Sequence, residues 1–229
     1  MIQALIFDFD GLILETEWPC FQSWQEIYRA YNCDLPFEKW VVCVGGTDQD
    51  FDPHAYLESL LCQTLPREEL KERSRRRQIM LIEELSILPG VEHYMSEARR
   101  LGLKVGLASN SSRRWVHEHL QRLGIYDQFD VMKCKDEVSK PKPDPELYLA
   151  VLDELGISGE QAVAFEDSPH GVQAARRAGI FCVAVPNAIT MHLPLDHASL
   201  RLTSLADIPL EALLAQIEKQ QKEATGFLA

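Results

Sequence analysis

A doubly wound, Rossmann-like α/β fold with a helical domain inserted after its first strand is what this chain's pattern predicts, on three observations. Short continuous apolar runs recur at Ala4–Asp10, Leu103–Ala108, Ala162–Glu166 and Phe181–Val185, with a weaker one at Phe129–Met132. Runs without polar alternation are strands covered on both faces, which implies a parallel sheet with helices on each side. Amphipathic stretches separate them, and four close alike: Leu101-Gly102-Leu103, Leu123-Gly124-Ile125, Leu155-Gly156-Ile157 and Ala178-Gly179-Ile180 each place a glycine where a helix ends in a left-handed cap. Residues 15–88, in contrast, hold no convincing strand.

Along the chain, the first strand leads directly into that insert. Its pattern reads as helices over Thr16–Tyr31, Leu35–Val42, Pro53–Gln63 and Pro66–Leu85. Trp18, Phe21, Trp24 and Tyr28 recur at helical spacing, which suits an apolar core better than a binding box. Residues 1–14 and 89–229 are thus expected to form the α/β core, and 15–88 a small cap domain on two linkers. Four core helices follow from the stripes Val91, Met95, Ala98, Leu101; Trp115, Val116, His119, Leu120, Leu123; Leu147, Val151, Leu152, Leu155; and Val172, Ala175, Ala178. Leu210, Leu213, Leu214 and Ile217 predict a last packing helix that frays from Lys219 onward.

Composition narrows the function. The 229 residues carry a formal net charge of −12. That field repels a phosphate backbone, so nucleic acid is not an expected partner, and any phosphate site needs a local cation or a metal. No apolar run approaches the roughly 20 residues that span a bilayer. Met1-Ile2-Gln3-Ala4 enters a strand at once, leaving no room for a signal peptide. Cys20, Cys33, Cys43, Cys62, Cys134 and Cys182 form no zinc or Cys-x-x-Cys spacing. A cytoplasmic monomer with reduced thiols is the expectation.

In an open parallel sheet, ligands bind beyond the carboxyl ends of the strands. There stand Asp8-Phe9-Asp10-Gly11, then Ser109-Asn110, then Glu166-Asp167-Ser168, while Lys140-Pro141-Lys142-Pro143-Asp144 precedes a helix. Carboxylates, a hydroxyl and a lysine on one edge suit a phosphoryl group. Further aspartates at Asp48-Gln49-Asp50 and Asp50-Phe51-Asp52 suggest a calcium loop, but Pro53 and Ser59 stand where that loop needs Gly and Glu, so a solvated hinge is the reading.

The order of four motifs resembles the haloacid dehalogenase superfamily over nearly the whole chain. They are Asp8 to Thr16, Ala108-Ser109-Asn110-Ser111, Lys140-Pro141-Lys142-Pro143 and Phe165-Glu166-Asp167-Ser168. The insert after the first motif is similar to the cap of the β-phosphoglucomutase-like branch. Asp10, which the dehalogenases proper lack, implies phosphoryl chemistry. The resemblance implies that Asp8 is a nucleophile forming an aspartyl-phosphate and that Asp10 is the proton donor and acceptor. It implies Mg2+ as cofactor, held by Asp8, the Asp10 carbonyl and Asp167, with Glu166 as a further or water-mediated ligand. Lys140, Ser109 and the Asn110 amide would bind the transferring oxygens, with Thr16 in the same phosphate-binding set. Lys142 is the alternative lysine; Lys140 is preferred because it opens the Lys-Pro-x-Pro match.

His117 and His119 face different ways on one helix, so packing or surface roles suit them, and His170 suits a loop histidine without a duty. Arg75-Arg76-Arg77 cannot all point one way. Three functions compete: a Mg2+-dependent phosphatase acting on a small phosphorylated metabolite, a sugar phosphomutase, and a phospho-receiver. A receiver needs no lid, which disfavours it. Where β-phosphoglucomutase has a histidine after the first motif, this chain has Cys20, and Gly45-Gly46-Thr47-Asp48-Gln49-Asp50 offers no arginine for a second phosphate. Water is therefore the expected acceptor.

Overall fold

The computed structural model describes residues 1–41 and 51–226. Cys43, residues 45–50 and both extra Asp-x-Asp pairs thus lie wholly or partly outside the described residues.

The sheet has six parallel strands: β1 (Ala4–Phe7), β2 (Lys104–Ser109), β3 (Val131–Cys134), β4 (Ala162–Glu166), β5 (Phe181–Ala184) and β6 (Leu200–Arg201). Their order is β3-β2-β1-β4-β5-β6. The chain winds outward from β1 to β3, then returns to the other side of β1 and winds outward again. The switch point falls between β1 and β4, where Phe7 is in register with Phe165. That crevice is where a doubly wound sheet binds its ligand.

Alternate residues on each strand feed two apolar layers, as a pleat of period two requires. Leu5, Phe7, Val105, Leu107, Val163, Phe165 and Val183 pack beneath α5 (Val91–Arg100), α6 (Arg113–Arg122) and α9 (Leu210–Gly226). The other face offers Ala4, Ile6, Ala108, Ala162, Ala164 and Ala184 to α7 (Glu146–Leu155) and α8 (Pro169–Arg177). Its small side chains let those helices approach closely: a Cβ on Gly106 would meet Val151 Cγ1 at 2.8 Å. The four glycines expected to stop helices, Gly102, Gly124, Gly156 and Gly179, all have positive φ.

Between β1 and α5 the insert forms α1 (Glu17–Ala30), α2 (Phe37–Val41), α3 (Pro53–Leu61) and α4 (Arg67–Glu83). Phe21, Trp24, Ile27, Tyr28, Leu35, Trp40, Leu57 and Leu70 give it an apolar cluster of its own, joined by Ile189 from the segment after β5. The spaced aromatics are therefore packing residues, except that Trp18 remains 43% exposed. Leu88 N donates to Ile13 O at 2.9 Å, so the two connections to the insert leave side by side.

Two expectations are corrected, and one strand is unforeseen. The weak strand begins at Val131, not Phe129, because Asp130 is held in the preceding turn: its carboxylate accepts from Val105 N at 2.8 Å. Strand β6, of two residues, is too short to carry a periodic signal. Helix α9 does not fray at Lys219 but runs to Gly226, through residues of high helix propensity and a Lys219–Glu223 pair at 4.0 Å. No helix among the described residues is long and apolar enough to cross a membrane.

Candidate active site

β1 ends at Phe7, so Asp8 is the first residue past the strand and projects into the switch-point crevice, 7% exposed. Glu166 and Asp167 close the neighbouring β4 and are also buried. A tight turn follows Asp8. Ile13 N donates to Phe9 O at 2.9 Å and Gly11 N to Leu14 O at 2.8 Å. Gly11 has φ +80, and a Cβ there would lie 2.3 Å from Asp167 Oδ2 and 2.5 Å from Asn187 Nδ2. Only glycine lets this turn lie against those two side chains.

The lysine beside Asp8 is Lys142. Its Nζ donates to Asp8 Oδ1 at 2.5 Å, Glu166 Oε1 at 2.5 Å and Ala108 O at 2.7 Å. The expectation that Lys140 fills this place is corrected: Lys140 is exposed, and its backbone N–H donates to Glu146 Oε2 at 2.8 Å. The reason lies in the repeated motif. Lys-Pro-x-Pro reads twice, from Lys140 and from Lys142, and only the second reading carries its lysine under the sheet edge before α7 begins.

Asn110 sets that lysine's backbone. Its Oδ1 accepts from Lys142 N at 2.8 Å while its Nδ2 donates to Lys142 O at 3.1 Å. Ser109 is buried, and its Oγ accepts from Ser111 N at 3.0 Å. The Asp10 carboxylate is held at both oxygens: Oδ2 accepts from Ser111 Oγ at 2.5 Å and Oδ1 from Trp115 Nε1 at 3.0 Å. Thr16 is buried ahead of α1 with its Oγ1 lacking a hydrogen-bond partner.

The electrostatics are those of a crowded acidic pocket with one cation. Burial pushes Asp8 up to about 7, Lys142 opposes this, and Glu166 adds to it. Asp167 is raised well above the usual carboxylate range, first by burial and then by Asp8 and Glu166. Burial opposes the charge on Lys142, yet Asp8 and Glu166 outweigh it and raise the group. Glu17, at the start of α1, is pushed up to about 8 by burial and then by Asp10, Glu15 and Asp8.

A divalent cation fits this donor set. Asp8, Glu166 and Asp167 each offer a carboxylate oxygen, all within 4.8 Å of one another. Glu166 Oε2 is buried without a hydrogen-bond partner. Three carboxylates against one ammonium leave an excess of negative charge, and hard oxygen donors suit Mg2+.

Sequence reasoning misses three supporting residues. Tyr148 donates to Glu166 Oε1 at 2.5 Å from within what reads as an apolar helix. Asn187 donates to Asp167 Oδ2 at 2.8 Å while its own Oδ1 accepts from Ile189 N and Thr190 N, both at 2.9 Å. Trp115 reads as core. Among the weaker candidates, His119 is buried with its ring against Trp115, and His117 stands against Tyr126. Arg76 pairs with Glu72 and Arg77 with Glu26, while Arg75 lines a cavity between α4 and α6.

A family model described as haloacid dehalogenase-like hydrolase matches residues 5–185. A Bacillus subtilis protein named "Putative phosphatase YhcW" is 44% identical over 220 residues, covering 96% of this chain and all of its own. A "Phosphorylated carbohydrates phosphatase" of Thermotoga maritima is 32% identical over 179 residues, 78% of this chain and 82% of that one. A solved structure from Thermotoga maritima, named as a putative β-phosphoglucomutase, superposes with a TM-score of 0.75 at 28% identity, covering 93% of this chain and 99% of its own.

Proposed function

This chain belongs to the haloacid dehalogenase-like hydrolases, and from that membership we propose a Mg2+-dependent phosphatase that hydrolyses a small phosphorylated metabolite through an aspartyl-phosphate on Asp8. The observation that carries this reading is the Asp8–Lys142 contact of 2.5 Å at the switch point of the sheet. A carboxylate held beside a fixed ammonium can attack phosphorus while the ammonium offsets charge on the transferring oxygens.

In the first step Asp8 forms a bond to phosphorus, the bond to the leaving alcohol breaks, and Asp10 gives the alkoxide oxygen its proton. In the second, Asp10 takes a proton from water as that oxygen attacks the same phosphorus. Asp8 is released and inorganic phosphate leaves. Ser109 Oγ, at the end of β2, and the Asn110 backbone amide would donate to the transferring oxygens. Asp8, Glu166 and Asp167, with the Asp10 carbonyl, would hold Mg2+, which when bound offsets the repulsion between a carboxylate nucleophile and a phosphate dianion.

Residues 15–88 serve in this proposal as the cap that excludes water and shapes the leaving-group pocket. The chain's net charge of −12 favours a neutral leaving group, such as a sugar or polyol, over one bearing a second phosphate. The same charge argues against a phosphomutase, which must hold a bisphosphate at both ends. Arg76 and Arg77 are already paired with glutamates, and Cys20 is a poor base at neutral pH.

Purified protein is expected to release phosphate from 4-nitrophenyl phosphate with Mg2+ and to lose that activity in EDTA. Full activity in metal-free buffer would overturn the assigned metal role. Supplied with β-glucose 1-phosphate and a catalytic amount of the 1,6-bisphosphate, the enzyme is expected to release phosphate without isomerisation. Rapid glucose 6-phosphate formation with little free phosphate would instead make it a mutase, the activity for which the similar Thermotoga structure is named.

A further inference from the structure

Asp10 must present one oxygen to the leaving alcohol and later to water, so whatever fixes its carboxylate governs both proton transfers. Two donors do so here, and both come from beyond β2. Ser111 Oγ reaches Oδ2 at 2.5 Å, and the indole Nε1 of Trp115 reaches Oδ1 at 3.0 Å. They differ in kind. A serine hydroxyl rotates and can turn to another acceptor, whereas an indole N–H only donates, and in one direction.

That direction is built in. Ser112 caps α6, its Oγ accepting from Trp115 N at 3.3 Å, which sets Trp115 in the first turn. One turn on, the buried ring of His119 stands edge-on to the indole, with centroids 4.2 Å apart at 73°. His119 in turn lies along Phe9, at 6.2 Å and 27°. Phe9 sits between Asp8 and Asp10, so the row Phe9–His119–Trp115 returns to the loop whose carboxylate the indole holds.

We propose that Trp115 is a positioning residue that aims the Asp10 carboxylate for proton transfer through its indole N–H. This rests on the phosphatase reading above. The indole touches no reacting atom; it acts through Asp10. Its outer side lines a cavity of about 280 Å³ between α4 of the insert and α6 of the core, shared with Arg75, Ile79 and Glu83. The side chain that aims the carboxylate therefore also borders the seam between insert and core.

The test is Trp115→Phe, which keeps a ring against His119 and removes the donor. Departure of an alkoxide needs a proton, whereas departure of 4-nitrophenolate hardly does. The variant is expected to lose about tenfold in kcat/KM toward an alkyl phosphomonoester but no more than about twofold toward 4-nitrophenyl phosphate. Equal losses on both esters, or none on either, would overturn the proposal.

A second measurement is independent of turnover. The chain has four tryptophans, and one indole 1H–15N crosspeak, the one Trp115→Phe removes, is expected to shift on Asp10→Ala. If none of the four moves, the contact is absent and the proposal fails whatever the kinetics. A wild type that cleaves neither ester would instead sink the phosphatase reading, and the crosspeak would still judge the contact.

Discussion

Lys142→Ala is expected to cost about a hundred- to a thousandfold in kcat/KM, while Lys140→Ala stays within about threefold of wild type. The contrast follows from placement. Lys142 Nζ, with its side chain 3% exposed, is shared between Asp8 and Glu166, whereas the Lys140 side chain is exposed. Removing Lys142 leaves two buried carboxylates without their cation, at a cost of about 3–5 kcal/mol in stability. A thermal melt separates that loss from a loss of chemistry. Mg2+ should recover part of the stability, because it supplies the missing positive charge, but not the rate. Equal activity of the two variants, both folded, would mean that the crevice lysine has no part in phosphoryl transfer.

Asp8→Asn is expected to abolish turnover and to leave no covalent phosphoryl-enzyme, because an amide is not a nucleophile at phosphorus. Asp10→Asn is expected to fail differently. It retains Asp8, its lysine and the backbone carbonyl, so an ester with a good leaving group can still phosphorylate Asp8. The adduct should then persist, its hydrolysis slowed by about a hundred- to ten-thousandfold for want of a base. Acid-quenched intact mass spectrometry reads the difference as one added phosphoryl group on Asp10→Asn and none on Asp8→Asn. The reverse pattern would exchange the two roles.

Whatever rests on local pattern is legible in the chain alone. Apolar runs without alternation require strands buried on both faces. Glycines after amphipathic stripes end four helices, and the lack of strand pattern over 15–88 marks a helical insert. Asp8, Glu166 and Asp167 are legible because a parallel sheet must present the ends of its strands at one edge, so a carboxylate closing an apolar strand points there regardless of the rest of the chain. Strand β6 is not legible, since two residues carry no period.

What depends on direction is settled only when distant segments meet. Lys-Pro-x-Pro occurs in two overlapping registers, and both lysines satisfy it; which one passes under the sheet edge depends on where α7 starts and on Asn110 gripping the Lys142 backbone from another loop. Trp115 counts as apolar in a helical stripe, and Tyr148 lies unmarked inside another helical pattern, because such a stripe records which face is buried, not where one hydroxyl or one indole N–H points. Asn187 reaches Asp167 across 20 residues of chain, and Trp115 reaches Asp10 across 105. A polar bond between distant segments leaves no periodicity in either one, because a single donor needs a single acceptor and the fold alone brings them together.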